Sequence, residues 1–255
     1  MPDRERDLPP LDAEEAQVLA ANLLISQLIM LAIGVVGSAV AEGIRSGDWM
    51  QATVGLGWLR SIVGSLASRP AAETLALGCL VAVALAFVAW AGERRALSTE
   101  RGRASVLKSR RGVNGELARL PLAVLVPAML LTGFAEELLF RFALMGLALA
   151  ALAPVLPAPA AAGVALLVSS TAFWLAHARY RDLATVVLTL ALGLSLGALF
   201  LGSGSLAATA LAHALYDLIV LMASRRQMRR DPGYFGGPAP TRALLDQLEE
   251  QEGPG

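Results

Sequence analysis

The residues best suited to chemistry cluster in Gly133–Arg141, where Glu136, Glu137 and Arg141 stand inside a long apolar run. A charge at membrane depth costs at least about 3 kcal/mol, so such a cluster is a functional-site candidate by default. On a helix Glu137 and Arg141, four apart, share a face and can pair. Glu136 points about 100° away from Glu137 and is left for another partner. A purely structural ion pair that locks two helices together is the plainer reading of this stretch taken alone.

Two further stretches change that balance. The chain has 2 histidines, and both lie in apolar runs. Phe173-Trp174-Leu175-Ala176-His177 closes one run, and His213-Ala214-Leu215-Tyr216-Asp217 lies within another. A lone histidine in such a run ordinarily makes a helix–helix hydrogen bond. Two of them, in segments able to bundle around a Glu-Glu-x-x-x-Arg helix, read as one constellation.

The ordered set Glu-Glu-x-x-x-Arg, Phe-x-x-x-His and His-x-x-x-Asp resembles the signature of the CPBP family of intramembrane endopeptidases. That family is also called the Abi or CAAX-protease family, and the Ras-converting CAAX protease is its best-known branch. The likeness runs from about Leu120 to Met222, under half of the chain. Each motif alone is weak; three in order, each in a hydrophobic segment, are specific. Asp217 stands where many members have Asn, and Arg141-Phe142 replaces the common Arg-Gly, a packing difference.

Peptide hydrolysis needs an activated water, a stabilised oxyanion and a proton for the leaving amine. The resemblance implies that Glu136 with His177 activates the water and that His213 and Asp217 form the oxyanion side. It implies that Glu137 and Arg141 fix the Glu136 helix, with Phe173 marking the His177 helix, and that no cofactor is required. An ionised Asp217 only accepts hydrogen bonds. It is therefore either protonated or, as expected here, it orients His213 four residues back on the same face. A rival is a zinc site of Glu136, His177 and His213 with water in the fourth place. Outside enzymology, buried Glu, Arg and His also line transporter pathways, although no inverted repeat is visible. An immunity-type scaffold is a further alternative. The expected substrate is a membrane-anchored or hydrophobic peptide, such as a bacteriocin leader or a C-terminal sorting tail.

Composition sets the frame for these residues. The 255-residue chain is 56% hydrophobic with a mean hydropathy of +0.59, which fits an all-α polytopic membrane bundle. Net charge is zero and says nothing about partners. Cys79, the 1 cysteine, excludes an internal disulfide, and with two histidines it excludes a closed Cys/His zinc site. Lys108 is the only lysine, and the Ala, Leu, Gly and Arg usage suggests a GC-rich bacterial genome.

Residues 1–17 form a polar arm without the basic start or cleavage site of a signal peptide. Expected spans are Val18–Ala41, Thr74–Ala91, Leu120–Ala150, Ala160–Ala176, Leu183–Leu201 and Leu206–Ala223. Trp49–Ala67, with Trp49 and Trp58, reads as an interfacial helix rather than a seventh span. Leu120–Ala150 is too long for one straight crossing, so Gly133 is the expected kink. Arg94–Arg119 is a basic linker; no aromatic residue interleaves its charges, so it is not a nucleic-acid surface. The domain division is residues 18–116, with a basic loop over 92–116, then a catalytic core over 117–224 and a tail over 225–255.

From Arg94 onward the loops alternate between basic and uncharged. The positive-inside rule then places the basic loop, Arg179–Arg181 and the C-terminus in the cytoplasm of a bacterial inner membrane. Because Arg179 follows His177 so closely, His177 is expected near the headgroups and His213 deeper. The resulting cavity would open to the cytoplasm or laterally from the inner leaflet.

Overall fold

The computed structural model describes residues 11–177 and 183–230. Arg179 and Arg181 therefore lie outside the described residues, as do the arm before Leu11 and the tail after Arg230. Among the described residues the chain is all helical, without strands. Six helices are long and apolar enough to cross a membrane, as the hydropathy runs require.

The first crossing is α1 (Ala13–Ser46), which starts within the polar arm because Asp12 and Glu15 form a capping box there. The 4-residue α2 (Trp49–Ala52) and the 10-residue α3 (Gly57–Leu66) follow. At 1.5 Å per residue α3 reaches about 15 Å, half of what a crossing needs. It docks instead on the turn before the last helix. Ser65 donates its hydroxyl to the Gly204 carbonyl at 2.9 Å and accepts the Leu206 amide at 3.1 Å. Ile62 packs with Leu138 and Leu206.

The second crossing, α4 (Ala71–Ala96), leads into the basic segment, which is not a solvated linker. Thr99 caps α5 (Glu100–Arg111), and α6 (Val113–Leu117) follows. Ala104 and Leu107 are buried, and Arg110 bridges Glu93 at 2.6 Å and Gln227 at 3.2 Å. An apolar stripe within the charges gives these helices a face to dock.

The third crossing carries the Glu-Glu-Arg cluster and departs from expectation at its centre. It runs unbroken through α7 (Leu122–Glu137), a π-helical segment (Leu138–Met145) and α8 (Gly146–Leu152). Gly133 is not a kink. A Cβ there would meet the Ala210 carbonyl oxygen at 2.7 Å and the Ala214 amide nitrogen at 2.8 Å. The glycine lets α7 touch the backbone of the last helix. The irregularity lies five residues later, in the wider turn of the π segment. π turns inside α-helices are uncommon and recur at functional sites.

Three crossings complete the bundle: α9 (Ala158–Ala176), α10 (Leu183–Ser203) and α11 (Leu206–Arg230). Large apolar side chains such as Leu28, Ile29, Leu80 and Phe87 face outward. That is the surface expected where the surroundings are hydrocarbon.

Candidate active site

Four of the six charged or imidazole positions of the motifs are buried, and three helices bring the six together. Glu136 and Glu137 end α7, Arg141 lies one turn on in the π segment, and His213 sits two turns into α11. Glu137 and Arg141 have no exposed surface, His213 is 3% exposed and Glu136 is 5% exposed. Asp217 lies one turn beyond His213. The side chain of His177 is 38% exposed, so the cluster is reached from that edge.

His177 stands just past the last turn of α9. Its Nδ1–H donates to the Phe173 carbonyl at 2.8 Å. That carbonyl is one of the orphan acceptors every helix C-terminus leaves. The bond leaves Nε2 as the lone-pair nitrogen of the neutral ring. Nε2 lies 3.6 Å from Glu136 Oε2. The same oxygen lies 3.9 Å from His213 Nε2. Both separations exceed a direct hydrogen bond, and Glu136 Oε2 has no hydrogen-bonded partner among the described residues.

His213 is oriented across the bundle rather than along its own helix. Its Nδ1–H donates to Glu137 Oε1 at 2.9 Å, 76 residues away in sequence. Asp217 faces the other nitrogen, with Oδ2 3.6 Å from Nε2. The carboxylate hydrogen-bonded to the ring is thus Glu137, at Nδ1, and not Asp217. The i,i+4 geometry brings Asp217 beside the imidazole, but on the side where the ring faces Glu136.

Glu137 therefore serves two partners. Its Oε2 lies 3.1 Å from Arg141 Nε. The guanidinium also stacks on Phe173, its carbon 4.6 Å from the ring centroid, a cation–π contact. Phe173 in turn packs against His177 at 4.4 Å and His213 at 5.7 Å between centroids. The single aromatic ring of the Phe-x-x-x-His motif touches both imidazoles and the arginine.

Sequence reasoning did not single out Ser169. Its hydroxyl donates to the Phe140 carbonyl at 2.7 Å, supporting the π segment from α9. The hydroxyl pair Ser169-Ser170 inside an apolar run was the available signal. Both imidazoles lie beside the same carboxylate. Helix rise places Glu136 about 21 Å along α7 from Leu122, and His213 about 18 Å along α11 from Arg225. α9 ends beside this cluster. Among the described residues no three His, Cys, Asp or Glu side chains converge as a metal-holding group.

Residues 118–219 match the family described as Type II CAAX prenyl endopeptidase Rce1-like. No curated protein and no solved structure matches the chain.

Proposed function

With residues 118–219 forming an Rce1-like CAAX endopeptidase domain, we propose that this protein is a glutamate-type intramembrane endopeptidase. It hydrolyses a peptide bond of a membrane-anchored or hydrophobic peptide. The observation that carries this reading is Glu136 Oε2, buried and unpartnered, facing the Nε2 atoms of His177 and His213 at 3.6 and 3.9 Å.

Glu136 Oε2 and His177 Nε2 are both acceptors. A water beside them donates one hydrogen to each and turns its lone pairs outward toward a substrate carbonyl. As the water oxygen bonds to the carbonyl carbon, Glu136 takes the proton. His213 donates Nδ1–H to Glu137, so only its imidazolium form carries a second N–H, at Nε2. The carboxylates of Glu136, Glu137 and Asp217 surround that ring. Its Nε2–H is then the donor for the oxyanion. Collapse breaks the C–N bond, and the proton held by Glu136 passes to the leaving amine. Asp217 acts beside His213 Nε2, while Glu137, Arg141 and Phe173 hold the rings in place.

Glu136→Gln tests the assignment. The amide is nearly isosteric and breaks no hydrogen bond at Oε2, so the variant should keep wild-type thermal stability. It should lose cleavage of a membrane-peptide library by at least roughly 10²-fold. Wild-type cleavage by the variant would remove Glu136 from the mechanism.

A further inference from the structure

Away from the catalytic cluster, a cavity of about 200 Å³ opens between the start of α7 and the end of α11, lined by Leu122, Met222, Arg225, Arg226, Arg229 and Arg230. We propose that it is a binding site for the phosphate of an anionic phospholipid headgroup.

Four arginines over six residues put like charges at i,i+4 twice, an arrangement that by itself destabilises a helix. Among the described residues none of the four forms an ion pair. Arg225 is committed in part, donating Nη1–H to the Leu120 carbonyl at 3.0 Å, which ties α11 to the entrance of α7. Arg226, Arg229 and Arg230 are exposed at the rim. The α7 start adds to the same field. Pro121 is its N-cap and supplies no side-chain acceptor; the Val124 amide donates to the Pro121 carbonyl, which leaves the Leu122 and Ala123 N–H groups at the positive end of the helix dipole. Guanidinium forks together with a helix N-terminus suit a phosphate.

The apolar part of the site selects a lipid over a free anion. Leu122 is 47%, Val126 40%, Ile219 38% and Met222 40% exposed. Leu122 and Val126 share one face of α7. Ile219, Met222, Arg226 and Arg230 follow one face of α11, passing from apolar to cationic toward its end. A phospholipid fits that order, with acyl chains along the apolar part and phosphate in the basic cavity. Headgroup pockets of this kind, basic and at the arginine-rich end of membrane helices, follow from membrane electrostatics.

The test is native mass spectrometry of the full, delipidated chain in detergent with phosphatidylglycerol, with phosphatidylcholine, and with phosphatidylglycerol competed by inorganic phosphate. Wild type should retain one phosphatidylglycerol per chain in preference to phosphatidylcholine, and phosphate should not displace it. Arg226→Gln/Arg229→Gln/Arg230→Gln should weaken that binding by roughly one to two orders of magnitude. A control, Arg95→Gln/Arg101→Gln/Arg103→Gln, removes as many exposed charges from the same end of the bundle and should leave binding unchanged. Equal retention by wild type and the α11 variant would overturn the site, and so would equal loss by the control. Displacement by inorganic phosphate would make a free anion the ligand and overturn the lipid assignment.

Discussion

Gly133→Ala probes how the bundle aligns the site without touching any group proposed to react. The new methyl would stand 2.7 Å from the Ala210 carbonyl oxygen, 2.8 Å from the Ala214 amide nitrogen and 3.0 Å from the Ala214 Cβ. Two of these atoms are helical backbone and cannot swing aside. Reaching ordinary contact at 3.4 Å separates α7 from α11 by roughly 0.5 Å or more. Glu136 and Glu137 lie one turn beyond Gly133, and His213 adjoins Ala214. The same displacement therefore stretches the 2.9 Å bond between Glu137 and His213 to the limit of hydrogen bonding. Overpacking of this kind costs about 1–3 kcal/mol, and misplacing catalytic groups by ~1 Å costs about 10²-fold in rate. The expected outcome is a Tm lower by several degrees and library cleavage reduced by roughly 10- to 100-fold. Gly163→Ala is the control, because nothing lies within 4 Å of its Cβ position; it should cleave as wild type. Wild-type stability and cleavage in Gly133→Ala would refute the close backbone contact and the alignment argued from it.

Other outcomes follow from the same geometry. Arg141→Ala strands the buried Glu137 carboxylate and removes the stack on Phe173, so it should cost about 3–5 kcal/mol, read as a Tm well below that of Glu136→Gln; equal Tm values would show that the guanidinium is not structural. Elemental analysis of active protein should find no stoichiometric zinc, and a strong chelator should leave cleavage intact; zinc lost together with activity would replace the water geometry with a metal-bound one. For orientation, Ala178→Cys and Ser203→Cys, each with Cys79→Ser, are treated in intact cells with an impermeant thiol reagent. Ser203→Cys should label and Ala178→Cys should not; labelling of Ala178→Cys would invert the topology.

The sequence by itself determined the number of crossings and the identity of the polar residues inside them. Both are local properties. A run of apolar residues crosses hydrocarbon whatever its neighbours do, and residues four apart share a face whichever helix lies opposite. That reasoning reached the Glu137–Arg141 pair and brought Asp217 beside His213. It failed where two helices had to meet. The partner of His213 Nδ1 is Glu137, 76 residues away, and nothing in either local pattern names it. Gly133 looked like a flexible point and is instead a point of contact, because the absence of a side chain permits both. Leu138–Met145 carries no residue that demands a π turn; it is supported by Ser169 from another helix. Hydrophobic periodicity could not supply these pairings. In a membrane the outward faces of the helices are as apolar as the faces between them, so the pattern does not show which face is buried. Only the packing decided that one carboxylate would stand between two imidazoles without a hydrogen bond at Oε2 while its neighbour bonded His213 and faced Arg141.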